Sequence, residues 1–173
     1  DRVISNAANL NDKSYASGLI GYATIFKALS LGNLSMFWEQ IPNGIGQQVT
    51  FVNRTEGFNR AIAAIDNALA AINANAISPS FLSNIPIGID IVNTLHALKA
   101  RYALYSGNYP LTLAEANSVD LTKRSVLSFD ATTPNPIFES ATSTNNVYQP
   151  IDSTLGLPLS IRPDPADRRI PFY

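Results

Sequence analysis

The sequence predicts an all-α fold, built from antiparallel helix pairs and followed by a long, Pro-rich, mostly irregular C-terminal segment. Three observations predict it. Apolar residues recur at alternating spacings of four and three in successive stretches, the period of one face of an α-helix. Alanine and glycine crowd the same stretches, so the helices are slim and can approach one another. Seven of the eleven prolines fall in the last forty residues, where a regular helix is not expected.

The first helix is expected from Lys13 to Leu31, with Tyr15, Leu19, Tyr22, Phe26 and Leu29 on one face. Gly18, Gly21 and Ala28 lie within it. A glycine in a helix interior costs up to about 1 kcal/mol relative to alanine, a cost usually offset by close approach of a neighbour. The second helix is expected from Thr55, its cap, to Asn73, with Phe58, Ile62, Ile65, Leu69 and Ile72 as its stripe. The third starts after Asp90 as N-cap and runs through Leu95, Leu98, Tyr102 and Tyr105 to Ser106. Gly107 stops it, and Pro110 opens a short fourth helix from Leu111 to Val119.

The stretch from Leu98 to Asn117 carries the most information. Ala100 and Ala103 leave room for a second helix, Gly107 makes the turn, and Tyr109 is placed to wedge between the two helices. These are the physics of a tetratricopeptide-like hairpin, although any antiparallel helix pair would share them. One position departs from the pattern: Thr112 stands where alanine is usual. Residues 1–120 are thus a tetratricopeptide-like helical region. Residues 121–173 form an extended segment packed on it, with one or two short strands near Ser125–Phe129, all within one domain.

Charge and residue types exclude several functions. Lys and Arg number 12 against 13 Asp and Glu, and only 14% of residues are charged. No basic footprint for nucleic acid can be assembled from so few. There is no cysteine, and His96 is the only histidine, expected as a satisfied structural residue, so neither a metal site nor a cofactor is expected. Gly44-Ile45-Gly46 lacks the rest of a phosphate loop and reads as a turn. No Gly-x-Ser-x-Gly elbow is present, and the four glutamates lie in no suggestive context, so no catalytic residues and no enzyme are expected. Asp164, Asp167, Arg168 and Arg169 read as surface ion pairs.

Two stretches suit ligand binding. Phe37 and Trp38, the latter the only tryptophan, adjoin the first helix. They could stack on the apolar C–H face of a sugar ring or plug the end of the helical core. Tyr148 lies with Asn146 and Gln149 in a loop, where a ring and amides together suit sugar hydroxyls.

Several segments, in order, resemble one family. Ile20 to Leu29, Leu34 to Pro42, Ala97 to Asn117, Asn135-Pro136-Ile137-Phe138-Glu139 and Asp164 to Arg169 are similar to successive segments of SusD/RagB proteins. The resemblance implies a non-catalytic nutrient-binding component of an outer-membrane SusC/SusD-type uptake system. Such a protein caps a TonB-dependent transporter in a Bacteroidetes-type bacterium, takes an oligosaccharide or peptide ligand, and is held by a lipid anchor outside this chain. It also implies that the chain is part of a longer polypeptide. The alternative is a helical-repeat scaffold for protein–protein interaction.

Overall fold

The structure, a computed structural model, describes residues 1–142, 158–162, 164 and 166. It is mainly helical, with one small sheet among the described residues. Two compact units are formed, Asp1–Ser128 and Phe129–Tyr173.

The first unit is built on α2, Lys13–Phe37, which Asp12 caps by accepting from the Tyr15 amide. It is preceded by a short α1, Arg2–Ala7. The helix runs six residues past the expected Leu31, straight through Gly32. Its deepest face is not the large-residue stripe: Ser17, Gly18, Gly21, Thr24, Ala28, Gly32 and Ser35 are buried, and Phe26 is exposed. Small residues occupy the inner face because two other helices lie against it.

The contacts of its glycines define how those helices run. A side chain at Gly21 would meet Ile72 and Ile91, each at 2.9 Å, while one at Gly32 would overlap the Tyr102 ring. In α3, Arg54–Ala74, a side chain at Gly57 would overlap Ser35 and Ile41. Positions 35 and 21 of α2 therefore meet 57 and 72 of α3, so these two helices are antiparallel. Positions 21 and 32 meet 91 and 102 of α5, Ile91–Tyr105, so α5 runs parallel to α2. Between α3 and α5 a short α4, Pro79–Leu82, presents Phe81 to Gly18 and edge-on to Tyr15. Ile25, Ala28, Phe58, Ala61, Ile65, Ala68, Leu95 and Tyr102 share the resulting core.

The turn between α2 and α3 is a two-stranded antiparallel hairpin. It pairs β1, Gln40–Pro42, with β2, Phe51–Asn53, setting Ile41 opposite Val52. Ile41 is fully buried and anchors the hairpin to the helices. Asn53, not the expected Thr55, caps α3 by accepting from the Glu56 amide. The shift of two residues follows from strand β2 running directly into the helix.

As expected, Asp90 caps α5 and Gly107 follows its end with φ at +81°, a conformation glycine adopts at little cost. The last helix of the unit, α6, is Tyr109–Asn117, capped by Asn108. Asn93, near the start of α5, bonds both the amide and the carbonyl of Asp120, just past the end of α6. The pair is therefore antiparallel. Tyr109 does not wedge between the helices; as the first residue of α6 it points outward and is exposed.

No strand forms at Ser125–Phe129. The chain is instead clasped side-on to the start of α5: the Val126 amide donates to the Gly88 carbonyl at 2.7 Å, and the Ser125 hydroxyl meets Thr94 at 2.6 Å. The second unit has two short helical pieces among its described residues. Pro136 opens a short α7, Pro136–Thr142, where its missing N–H is no loss, and Asn135 Oδ1 accepts from the Ile137 and Phe138 amides. Further on, the described residues include a 3₁₀ turn at Leu159–Ile161. Before α7, Asp130 accepts from the hydroxyls and amides of Thr132 and Thr133, which hold its pKa well below the usual range.

Tyr102 is 1% exposed and sits in the gap that Gly32 leaves. Gly32→Ala should lower stability by about 2–3 kcal/mol, because the added methyl occupies the ring's place. The Tyr102 hydroxyl makes no hydrogen bond among the described residues. Tyr102→Phe should therefore change stability by less than about 1 kcal/mol. Denaturant titration of both variants checks the contrast; equal destabilisation would show that the hydroxyl, not the ring's fit, matters.

Candidate functional site

The long run of α2 carries a strip of exposed residues away from the core. Phe26, Ser30, Asn33 and Phe37 are spaced by four, three and four, so they lie on one outward face. The helix ends there because Trp38 turns extended, with its amide still donating to the Leu34 carbonyl. Phe37 is 73% exposed and Trp38 57%, their rings edge-to-face with centroids 6.1 Å apart. Trp38 therefore does not plug the core; Ile41, three residues on, enters it instead. Two rings at 75° to one another offer one apolar face and one edge to a flat ligand.

Beside this strip lies a groove of about 540 Å³ between α2 and the hairpin loop. Its apolar lining comes from Phe26, Leu34 and Ile45, its polar lining from Ser30, Lys27 and Arg60. Ile45 projects almost fully into solvent at the loop. Lys27 is paired with Asp1. Arg60 donates to the Pro42 carbonyl at 3.4 Å and to that of Asn43 at 3.0 Å, tying the loop to α3. Arg54 does the same for the end of α2, donating to the Ser35 and Met36 carbonyls, which have no later helical amide to accept from. The loop, the aromatic pair and the groove are thus held by two arginines on one helix. The volume is in the usual small-molecule range of about 300–1,000 Å³, with apolar walls and a few polar groups.

The hairpin α5–α6 carries the main charged cluster among the described residues. Glu115 accepts from Lys99 at 2.5 Å and faces His96 Nδ1 at 2.6 Å; Lys99 also reaches Asp66 of α3 at 2.7 Å. Burial disfavours the charge on Glu115, but hydrogen bonds from Lys99 and His96 outweigh it, and its pKa is lowered. Burial likewise works against Lys99, and the bonds to Asp66 and Glu115 raise its pKa. Both groups hold their charge against each other, so neither is poised to transfer a proton. The cluster ties α3, α5 and α6 together, and His96 is accounted for as a structural partner.

Sequence reasoning missed this cluster and the groove. The cluster had a signal: Lys99 and Glu115 stand eight residues either side of Gly107, and so meet when the chain folds back there. The groove had none, since Lys27, Ile45 and Arg60 come from three separate elements. Tyr148, Asn146 and Gln149 lie outside the described residues, as do Asp167, Arg168 and Arg169. No group of acidic or histidine residues suited to a metal ion occurs among the described residues, and no helix there is long and apolar enough to cross a membrane. Compared with known proteins, the chain matches no family model, no curated protein and no solved structure.

Glu115, with its folded pKa lowered, contributes stability that is present above its unfolded value of about 4.3 and is lost as pH falls. Lys99, with its pKa raised, contributes stability that is lost as pH rises above about 10.4. The melting temperature should therefore be flat near neutrality and drop below about pH 4. Glu115→Gln should cost about 1–3 kcal/mol at pH 7 and shrink the acid-side drop. Thermal melts of both proteins from pH 3 to 7 check this; parallel curves would rule out the charge on Glu115 as a cause.

Proposed function

We propose that this protein is a non-catalytic binding component of an outer-membrane nutrient-uptake system, of the SusD/RagB type. It captures an oligosaccharide or peptide at the Phe37–Trp38 edge and the adjoining groove, then passes it to the TonB-dependent transporter that it caps. The observation that carries the reading is the exposure of both large aromatics at the end of α2, on a helix whose residues Phe26, Ser30 and Leu34 line a groove with apolar walls and a few polar groups. Aromatic rings left in water at a rigid helix end lose nothing by stacking on a ligand and gain its apolar face. The ordered resemblance of five segments to the family supports the transporter partner and the lipid-anchored location in a Bacteroidetes-type outer membrane. The antiparallel hairpin α5–α6, with Ala103 buried and Gly107 in the turn, supports a tetratricopeptide-like pairing as the frame.

One observation favours the scaffold reading. Helix α6 buries no residue, and Tyr109 and Leu113, four residues apart, share an exposed apolar face of it. Such a face suits contact with another protein, and in the capture reading it serves the transporter complex.

Trp38, as the only tryptophan, reports on the site directly. Titration with maltoheptaose, xylohexaose and a casein digest should shift its fluorescence for at least one of the three. Trp38→Ala should weaken that binding by about tenfold in calorimetry, a loss of about 1.4 kcal/mol. If no probe shifts the emission and the protein does not co-purify with a TonB-dependent transporter, the proposal fails.

A further inference from the structure

The loop joining β1 to β2 holds the only Asn-Gly pair in the chain, Asn43-Gly44. Three features of its setting bear on chemistry. Asn43 is exposed, beyond the last paired residue of β1. Gly44 has open space around it, with nothing within 4 Å of where a side chain would be. The Gly44 amide, unlike that of Asn43, which donates to the Thr50 carbonyl at 2.7 Å, makes no hydrogen bond among the described residues. The Asn43 side-chain amide is restrained only by a long 3.3 Å bond to the Thr50 hydroxyl.

We propose that Asn43 is a site of spontaneous deamidation, which converts a neutral loop residue at the mouth of the groove into a carboxylate. The Gly44 backbone nitrogen, giving its proton to solvent base, attacks Asn43 Cγ. A C–N bond closes a five-membered succinimide, and Nδ2 leaves as ammonia with a proton from water. A second water then opens the ring at either carbonyl, leaving aspartate or isoaspartate. One water is consumed and one ammonia released, with no oxidant or reductant. Glycine favours the step twice: it has no Cβ to shield its nitrogen, and its backbone adopts the required angles freely. Several other asparagines are held back by structure. Asn53, Asn108 and Asn135 spend their side-chain oxygen on helix caps, and Asn59, Asn67 and Asn73 sit in α3, where the following amide is committed to the helix.

The change has a local consequence. Arg60 donates to the Asn43 carbonyl, so the new carboxylate arises beside the cation that ties the loop to α3. The groove gains a negative charge, and in the isoaspartate form the loop gains a backbone carbon. Neither the chemistry nor this consequence depends on what the groove binds.

The test is peptide mapping of the intact protein after incubation at 37 °C, at pH 6 and pH 8, in buffer and in urea. Asn43 should convert first among the asparagines, faster at pH 8, giving two products of equal mass, aspartate and isoaspartate. Conversion in buffer should approach the rate in urea, because the folded loop leaves the amide open. Gly44→Ala, in open space and so expected to fold, should slow the reaction by about tenfold or more. Strong protection in buffer relative to urea, earlier conversion of another asparagine, or no effect of Gly44→Ala would each overturn the assignment.

Discussion

At Gly21 and Gly32 the backbone of α2 lies bare, and there α3 and α5 come close enough to share a single core. The two glycines are eleven residues apart, and so are their partners Ile91 and Tyr102 on α5. Two parallel helices can repeat a contact after the same number of residues only if they rise together, so the bare positions set the relative orientation as well as the distance. Gly57 does the same for α3, receiving Ser35 and Ile41. Each glycine weakens its own helix slightly, and the burial it permits outweighs that many times over. Tyr102, the largest fully buried side chain among the described residues, fills the space that Gly32 leaves.

This close packing explains where the aromatic pair ends up. With its small residues turned inward, α2 continues unbroken past Gly32 to Phe37, carrying Phe26 and Phe37 clear of the core. The chain must then turn sharply into the hairpin, and Ile41 is the first residue after the turn to reach the interior. Trp38 is left outside by geometry, one step before the chain is anchored. Arg54 and Arg60 make that geometry rigid by bonding the carbonyls of the helix end and of the loop. The exposed pair of rings and the groove thus rest on positions defined at the centre of the fold.

Charge plays a smaller part but a directional one. The chain has few ionisable groups, and among the described residues its more buried ones gather where α3, α5 and α6 meet. There Glu115, Lys99, Asp66 and His96 satisfy one another, so ionic contacts help fasten the outer hairpin. That is why α6 can bury no residue and still stay in place, leaving its apolar side uncovered.

The sequence by itself determined the helices: the four-three spacings placed α2, α3 and α5, Asp90 capped α5, and Gly107 broke the chain between α5 and α6. These features depend on residues within a turn or two of one another, and so can be read locally. It could not tell that Asn53 instead of Thr55 caps α3, because that depends on a strand formed with residues before it. Nor could it tell which stripe of α2 faces inward, since both a large and a small stripe have helical period. Only the tertiary structure decided that, by bringing Tyr102 and Ile91 against the glycines from some seventy residues away. The groove follows the same rule. Lys27, Ile45 and Arg60 meet because three elements pack together, and no spacing along the chain records it.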